Sequence, residues 1–145
     1  METYTSFQVR DILKIDYTRL QEWIKRGYVV PTIPATGRGT KSKFSRNDLY
    51  SIQTFLLLLQ RGISREIAAA MVKKSLYGKE IFWNIDIFTY SEKITNYDED
   101  NGTYVSKMSG GVGFDYDTEN ELFRVQIHLS MIKKIVDSMI MANMS

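Results

Sequence analysis

The chain contains no cysteine, a single histidine and two prolines in 145 residues. Without cysteine there is no disulfide and no thiolate metal centre, and a lone His128 cannot build a histidine cluster. A cysteine-based metal or redox sensor is therefore excluded. No stretch approaches the roughly 18 consecutive apolar residues of a membrane span, and no basic, apolar, small-residue leader opens the chain. The expectation is a cytoplasmic protein without a membrane partner. The length suits one well-buried domain or two small ones.

The net charge of +2 hides an asymmetry. Residues 1–75 hold 13 Lys/Arg against 6 Asp/Glu, a balance of +7, whereas residues 76–145 hold 6 against 11, a balance of −5. Such a split is the footprint expected of a polyanion-binding half joined to a half with another task.

The basic half is organised around Asp16 to Gly27, DYTRLQEWIKRG. At helical spacing Leu20, Trp23 and Ile24 share one side while Thr18, Gln21, Glu22 and Lys25 share the other, giving a core face and a polar probe face. Asp16 can cap the first free amides, and Gly27 is a left-handed stop after Lys25 and Arg26. Upstream, Ser6 to Leu13 repeats the helical pattern through Phe7, Val9, Ile12 and Leu13, with only Lys14 and Ile15 before the next cap. Two short helices so tightly joined must cross steeply around Val9, Ile12, Leu20 and Trp23, as in a helix-turn-helix. An ordinary helical hairpin fits the periodicity equally well, so the next segment decides.

Tyr28 to Val30 reads as a short strand ending at Pro31, and Ala35 to Lys43 places Gly37 and Gly39 among Arg38, Lys41 and Lys43. Behind a probe helix, this basic ribbon has the place and charge of a wing on a phosphate backbone. Ser45 should cap a buried helix, Arg46 to Arg61, with Leu49, Ile52, Phe55, Leu56, Leu58 and Leu59 as its apolar positions. After Gly62, Ser64 and Glu66 should open a fourth helix to about Ser75, turning Ile67, Ala68, Met71 and Val72 inward.

This ordered set resembles the DNA-binding domain of the MerR family of bacterial regulators. The matching residues are Tyr4 to Ser6 with Val9, then Leu20, Trp23 and Gly27, then Lys43, Phe44, Ser45, Asp48 and Leu49, and finally Gly62, Ile63 and Ser64. The resemblance covers about half the chain. It implies a winged helix-turn-helix that binds double-stranded DNA, the probe helix in the major groove and the wing on flanking backbone. Carried over by position, it implies DNA contacts from Tyr17, Thr18, Arg19, Gln21 and Lys25 on the helix and from Arg38, Thr40, Lys41 and Lys43 on the wing. Gln21 stands where the family commonly has a basic residue, and Glu22 where it commonly has an aromatic one. A carboxylate at that place repels phosphate unless it faces a cytosine amino group or the docking is unusual.

After Ser75 the family pattern of a long dimerising helix breaks off. Tyr77 and Gly78 end the helix, and Glu80 to Tyr90 alternates as a strand with Ile81, Trp83, Ile85 and Ile87 on one face and Phe82, Asn84, Asp86 and Phe88 on the other. Asp98 to Gly102 signals a hairpin before Thr103 to Met108, with Asn101-Gly102 suited to positive backbone dihedrals, and Leu122 to Leu129 reads as a third strand with Phe123, Val125, Ile127 and Leu129 inward. Ser130 should cap a last helix, Met131 to about Ala142. The expected fold is α+β: a winged helix-turn-helix over residues 1–75, then a small antiparallel sheet and a C-terminal helix over residues 76–145. The apolar stripe Ile132, Ile135, Val136, Met139 and Ile140 covers the sheet or meets a second subunit, and a twofold dimer is preferred because it pairs two probe helices.

Other patterns carry less. Gly110 to Gly113 resembles a phosphate-binding loop without the helix that should follow, and Asp115, Asp117, Glu119 and Glu121 resemble a calcium loop in which Asn120 and Gln126 replace the needed glycine and glutamate. No catalytic constellation, metal site or cofactor is expected. The leading reading is a sequence-specific, nucleoid-associated transcription regulator that binds a pseudo-palindromic site as a homodimer. The alternatives are an architectural DNA protein, such as a recombination directionality factor or a plasmid or chromosome organiser, and a regulator answering a small-molecule or protein effector through residues 76–145.

Overall fold

The computed structural model describes residues 2–75, 87–112 and 117–144. Their packing divides into two compact units, residues 1–80 together with 131–145, and residues 81–130.

The first unit begins with β1 (Thr3–Thr5), which leads directly into α1 (Ser6–Leu13) and, after a two-residue turn and a cap, α2 (Tyr17–Lys25). Each helix starts on a side-chain cap. The Thr5 hydroxyl accepts from the Gln8 amide while Gln8 reaches back to the Thr5 amide, and the Asp16 carboxylate accepts from the Arg19 amide at 3.0 Å. Such caps stabilise a helix by about 1 kcal/mol each. The turn between them places Lys14 at φ 56°, a left-handed conformation that costs a non-glycine residue about 1–2 kcal/mol. It is closed by the Lys14 and Ile15 amides donating to the Arg10 carbonyl. Val9, Ile12, Leu20 and Trp23 are all buried at this crossing, as the sequence spacing requires. Phe7 departs from the expected apolar stripe: it is 44 % exposed.

The segment after α2 is not the strand expected at Tyr28 to Val30. The Tyr28 and Val29 amides instead donate to the Trp23 carbonyl at 2.9 and 3.2 Å, which uses those donors in a turn around Gly27 at φ 75° and buries Val29. The wing is paired through one bridge, Ile33 with Lys43, whose two amide–carbonyl bonds measure 3.0 and 2.8 Å. From there β2 (Lys43–Ser45) pairs antiparallel with β1, in the register Thr3–Ser45, Tyr4–Phe44 and Thr5–Lys43.

Ser45 caps α3 (Arg46–Gln60) in a reciprocal capping box with Asp48, and α4 (Arg65–Ser75) follows the left-handed Gly62 at φ 86°. Leu49, Ile52, Phe55 and Leu58 of α3 are buried, as are Ala68, Met71 and Val72 of α4, whereas Ile67, expected inward, is 44 % exposed. Trp23 meets Phe55 edge-on with ring centroids 5.0 Å apart, so the probe helix is seated on α3.

The second unit is an antiparallel sheet of β3 (Ile87–Asp98), β4 (Thr103–Val112) and β5 (Glu121–His128), in the order β4-β3-β5. Three antiparallel strands agree with the sequence reading, though β3 runs through Ile94 and Asn96 with a bulge in its pairing to β4. Residues 80–86 of the expected strand, with Ile81, Trp83 and Ile85, lie outside the described residues, as do Tyr77, Gly78, Gly113 and Asp115. The hairpin turn places Gly102 at φ 66°, and only glycine is needed there, because Asn101 stays out of the positive region. Ile127 is buried as expected, but Phe123 is 40 % exposed.

The last helix, α5 (Leu129–Asn143), begins two residues before its expected start, so Ser130 lies inside it and does not cap it. From Met131 onward it belongs to the first unit by packing, not to the sheet as the division at residue 75 would have it. The anchor is Asp137, which accepts from Tyr50 Oη at 2.5 Å and from Arg46 Nη1 at 3.1 Å, both near the start of α3. Arg46 also binds Glu2 through Nε and Nη2, tying β1, α3 and α5 together.

Candidate nucleic-acid interface

Burial separates the two faces of α2. Leu20 and Trp23 are 0 % and 2 % exposed, while Thr18, Arg19 and Lys25 face solvent and Tyr17 and Gln21 are half-buried. The outer face is thus free to reach into a groove, and its fixed inner face holds it rigidly for that purpose. The Arg19 guanidinium lies 5.1 Å from the Trp23 ring, so the side chain is held along the helix by a cation–π contact.

Glu22 resolves a difficulty posed by the sequence. Its carboxylate pairs with Arg26 one turn later, and that hydrogen bond holds it below the usual carboxylate range. A phosphate approaching this turn meets a neutralised pair instead of a bare carboxylate. The signal was present in the i, i+4 spacing of Glu22 and Arg26.

The base of the wing is fixed by a buried carboxylate. Asp48, 4 % exposed, accepts from the Thr32 amide at 2.8 Å, the Thr32 hydroxyl at 2.6 Å and the Ser45 amide at 2.9 Å. Three donors satisfy an anion that burial would otherwise penalise heavily. Arg38, Lys41 and Lys43 are all exposed beyond this anchor.

Thr40, grouped with these cations by the resemblance, has a different position. Its hydroxyl accepts from the Thr36 and Gly37 amides, both at 2.9 Å, and donates to the Gly37 carbonyl at 2.7 Å. One donor and two acceptor sites are all a hydroxyl has, so in this structure the side chain spends all three on shaping the wing tip.

Between α2 and the wing lies a cleft of about 240 Å³, bordered by Phe7, Tyr17, Gln21, Thr40 and Lys41. Phe7 and Tyr17 stack in parallel 4.9 Å apart, and Lys41 Nζ approaches the Phe7 ring to 5.7 Å. In the sequence Phe7 stands only as part of an apolar pattern and Arg10 carries no role; their spacing of three along a helix, with an aromatic residue shortly after, is the signal that could have found this group.

A capped probe helix seated on a third helix, with a basic wing anchored beside it, defines the class: a winged helix-turn-helix DNA-binding domain. The model of the MerR HTH family regulatory proteins matches residues 4–74. This part of the chain is a MerR-family helix-turn-helix domain, and the protein is a DNA-binding transcription regulator. No curated protein matches the chain. Among the described residues no helix is long and apolar enough to cross a membrane.

Of the five residues expected at a dimer interface, Ile132, Val136 and Ile140 are 5 %, 0 % and 1 % exposed within the single chain. Their apolar surface is already covered, which leaves Ile135, 43 % exposed, and the half-buried Met139 to meet another molecule. The outward side of α5 adds Met131 and Met141, 53 % and 72 % exposed.

Proposed function

We propose that the protein is a sequence-specific regulator that binds a pseudo-palindromic DNA site as a homodimer, with α2 of each subunit in the major groove and the wing on flanking phosphates. The observation that carries this reading is the partition of α2, where Leu20 and Trp23 are buried while Thr18, Arg19 and Lys25 remain exposed, as are the wing cations Arg38, Lys41 and Lys43. Tyr17 and Gln21 stand at the edge of the same face. Two such probes related by a twofold axis read two half-sites, and linking them multiplies their affinities.

The outward apolar residues of α5, Met131, Ile135 and Met141, supply the surface for the dimer. Ile135→Glu should then abolish dimerisation and weaken specific binding by orders of magnitude while leaving the fold intact. Sedimentation of the full chain together with selection of bound duplexes from a random pool tests the reading. One pseudo-palindrome bound by a dimer supports it; a monomer at concentrations well above those needed for binding overturns the dimer and favours an architectural protein on phased sites.

A second reading, in which an effector acts through the sheet, is favoured by the separate packing of residues 81–130 and by the exposure of Tyr97, Tyr104 and Phe123 there. A small molecule or protein that binds the sheet and shifts DNA affinity would establish it.

A further inference from the structure

The cleft between α2 and the wing gathers groups that the helix-turn-helix does not need for its own packing. The Phe7–Tyr17 stack forms one side, with 3° between the ring planes. The Arg10 guanidinium lies 5.2 Å from the centre of the Phe7 ring and 5.9 Å from that of Tyr17, and Lys41 reaches Phe7 from the wing. Lys41 and the two rings border a cleft of about 240 Å³, and Arg10 lies against the same rings beside it. One water occupies about 30 Å³ in the liquid, so the cleft admits a group of several heavy atoms.

We propose that this cleft receives one sugar–phosphate unit of the DNA backbone, its deoxyribose against the edge of the Phe7–Tyr17 stack and its phosphate between Arg10 and Lys41. The assignment rests on the reading of α2 and the wing as the DNA interface, and it adds Phe7 and Arg10 to that interface. The occupant follows from continuity and charge. Tyr17 and Gln21 border the cleft from α2 and Lys41 from the wing, so a strand running from one contact to the other crosses it. A phosphate suits the cations, and the apolar face of a deoxyribose suits the ring edges, whereas Thr18, on the outer face of α2, is the side chain directed at base edges. Arg10 Nε is occupied by Asp11 at 2.9 Å, so the phosphate is met by the Nη groups, and the Asp11 charge keeps the contribution of Arg10 below that of an unpaired arginine.

The test compares the full-length protein with Phe7→Ala and Arg10→Gln on a duplex selected from a random pool and on an unrelated duplex, across a salt series. Thermal melts followed by circular dichroism, with Phe7→Tyr as a variant that keeps the stack, separate lost contacts from lost fold. Arg10→Gln should weaken both duplexes alike and flatten the salt slope by up to about 0.9. Phe7→Ala should weaken both several-fold with little change in slope, and Phe7→Tyr should restore binding. Neutralising single phosphates with methylphosphonate should find one position whose effect disappears in Arg10→Gln. Unchanged binding by both variants, while Arg38→Ala and Lys43→Ala still weaken it, refutes the cleft and leaves the interface standing. Unchanged binding by all four refutes the interface as well. A preference altered at one base pair in Phe7→Ala overturns the backbone assignment in favour of a base contact.

Discussion

The two packing units differ in charge more sharply than the two halves of the chain do. Residues 1–80 with 131–145 hold 16 Lys/Arg and 8 Asp/Glu, a balance of +8, whereas residues 81–130 hold 3 and 9, a balance of −6. Moving α5 from the acidic half to the DNA-binding unit carries Lys133 and Lys134 with it. The basic charge therefore follows the DNA-binding fold, and the sheet is a surface that a polyanion avoids. The units also differ in construction. In the first, α1 to α4 begin on local side-chain caps, while the second depends on pairing between strands, as in Tyr97 opposite Tyr104 and Phe88 opposite both Val112 and Ile127.

The largest expected effect lies at the seat of the probe helix. Trp23→Ala removes a ring that is 2 % exposed and packed edge-on against Phe55, so it should cost about 3–5 kcal/mol of stability. Denaturant titration followed by the signal of the basic unit measures it. A variant that stays fully stable but loses sequence preference would assign Trp23 to DNA reading and break the division of α2 into core and probe faces.

Next comes the bond that puts α5 in the basic unit. Tyr50→Phe deletes the hydroxyl that binds the Asp137 carboxylate, a charge-assisted hydrogen bond worth about 1.5–3 kcal/mol. Burial, and then the neighbouring Asp137, raise the tyrosine above its ordinary value. The folded state thus favours the neutral phenol, and the stability this contributes is present below the ordinary tyrosine pKa of about 10 and is lost as pH rises towards the folded value. Wild type should lose stability above about pH 10 more steeply than Tyr50→Phe, as thermal melts across that range would show; parallel pH profiles would detach α5 from the domain.

These two sites show what the sequence could and could not convey. The limits of α2, α3 and α4 were legible because Asp16, Ser45 and Ser64 act on amides within three residues of themselves, and Gly27 and Gly62 stop helices by their own backbone freedom. The pairing of β1 with β2 was not, since three-residue strands some 40 positions apart carry no periodic signal. Nor was the anchor of α5, where Asp137 meets a tyrosine 87 residues earlier. Apolar spacing identified the stripe Ile132, Val136 and Ile140, but periodicity says that a face is covered and not by what. The site was legible as a set of cations on α2 and the wing. Which of those polar groups are already satisfied, as Thr40 is, depends on hydrogen bonds that spacing does not reveal.

The wing offers a smaller effect that sharpens the charge comparison. Lys41→Ala with Lys43→Ala removes two exposed cations from the basic unit and should flatten the salt dependence of DNA binding by about 0.9 per lost phosphate contact, on specific and unrelated duplexes alike. Replacing Lys93 and Lys107 in the sheet by alanine should leave that slope unchanged. Equal effects from the two pairs would mean that DNA reaches both units and that the charge division has no bearing on binding.

The smallest effect concerns the two tips, one in each unit, which solve the same problem with different chemistry. The wing tip is held by the neutral Thr40 hydroxyl, while the β3–β4 tip is held by the Asp98 carboxylate, which accepts from the Asp100 amide at 3.0 Å and from Asn101 Nδ2 at 2.7 Å. The Asn101 side chain, and then its backbone amide, hold Asp98 below the usual aspartate value. The folded turn favours the carboxylate, so its contribution is present above the ordinary pKa and is lost as pH falls through the lowered one. Acidification should therefore loosen the hairpin tip and leave the wing tip as it is. In an NMR titration from neutral pH to about 2, the amide protons of Asp100 and Asn101 should move as Asp98 is protonated, while those of Thr36 and Gly37 stay in place. Thr40→Val should release the wing-tip amides at every pH without changing the salt slope, because its hydroxyl closes the turn and does not reach phosphate; a flattened slope in Thr40→Val would return that residue to the DNA contacts.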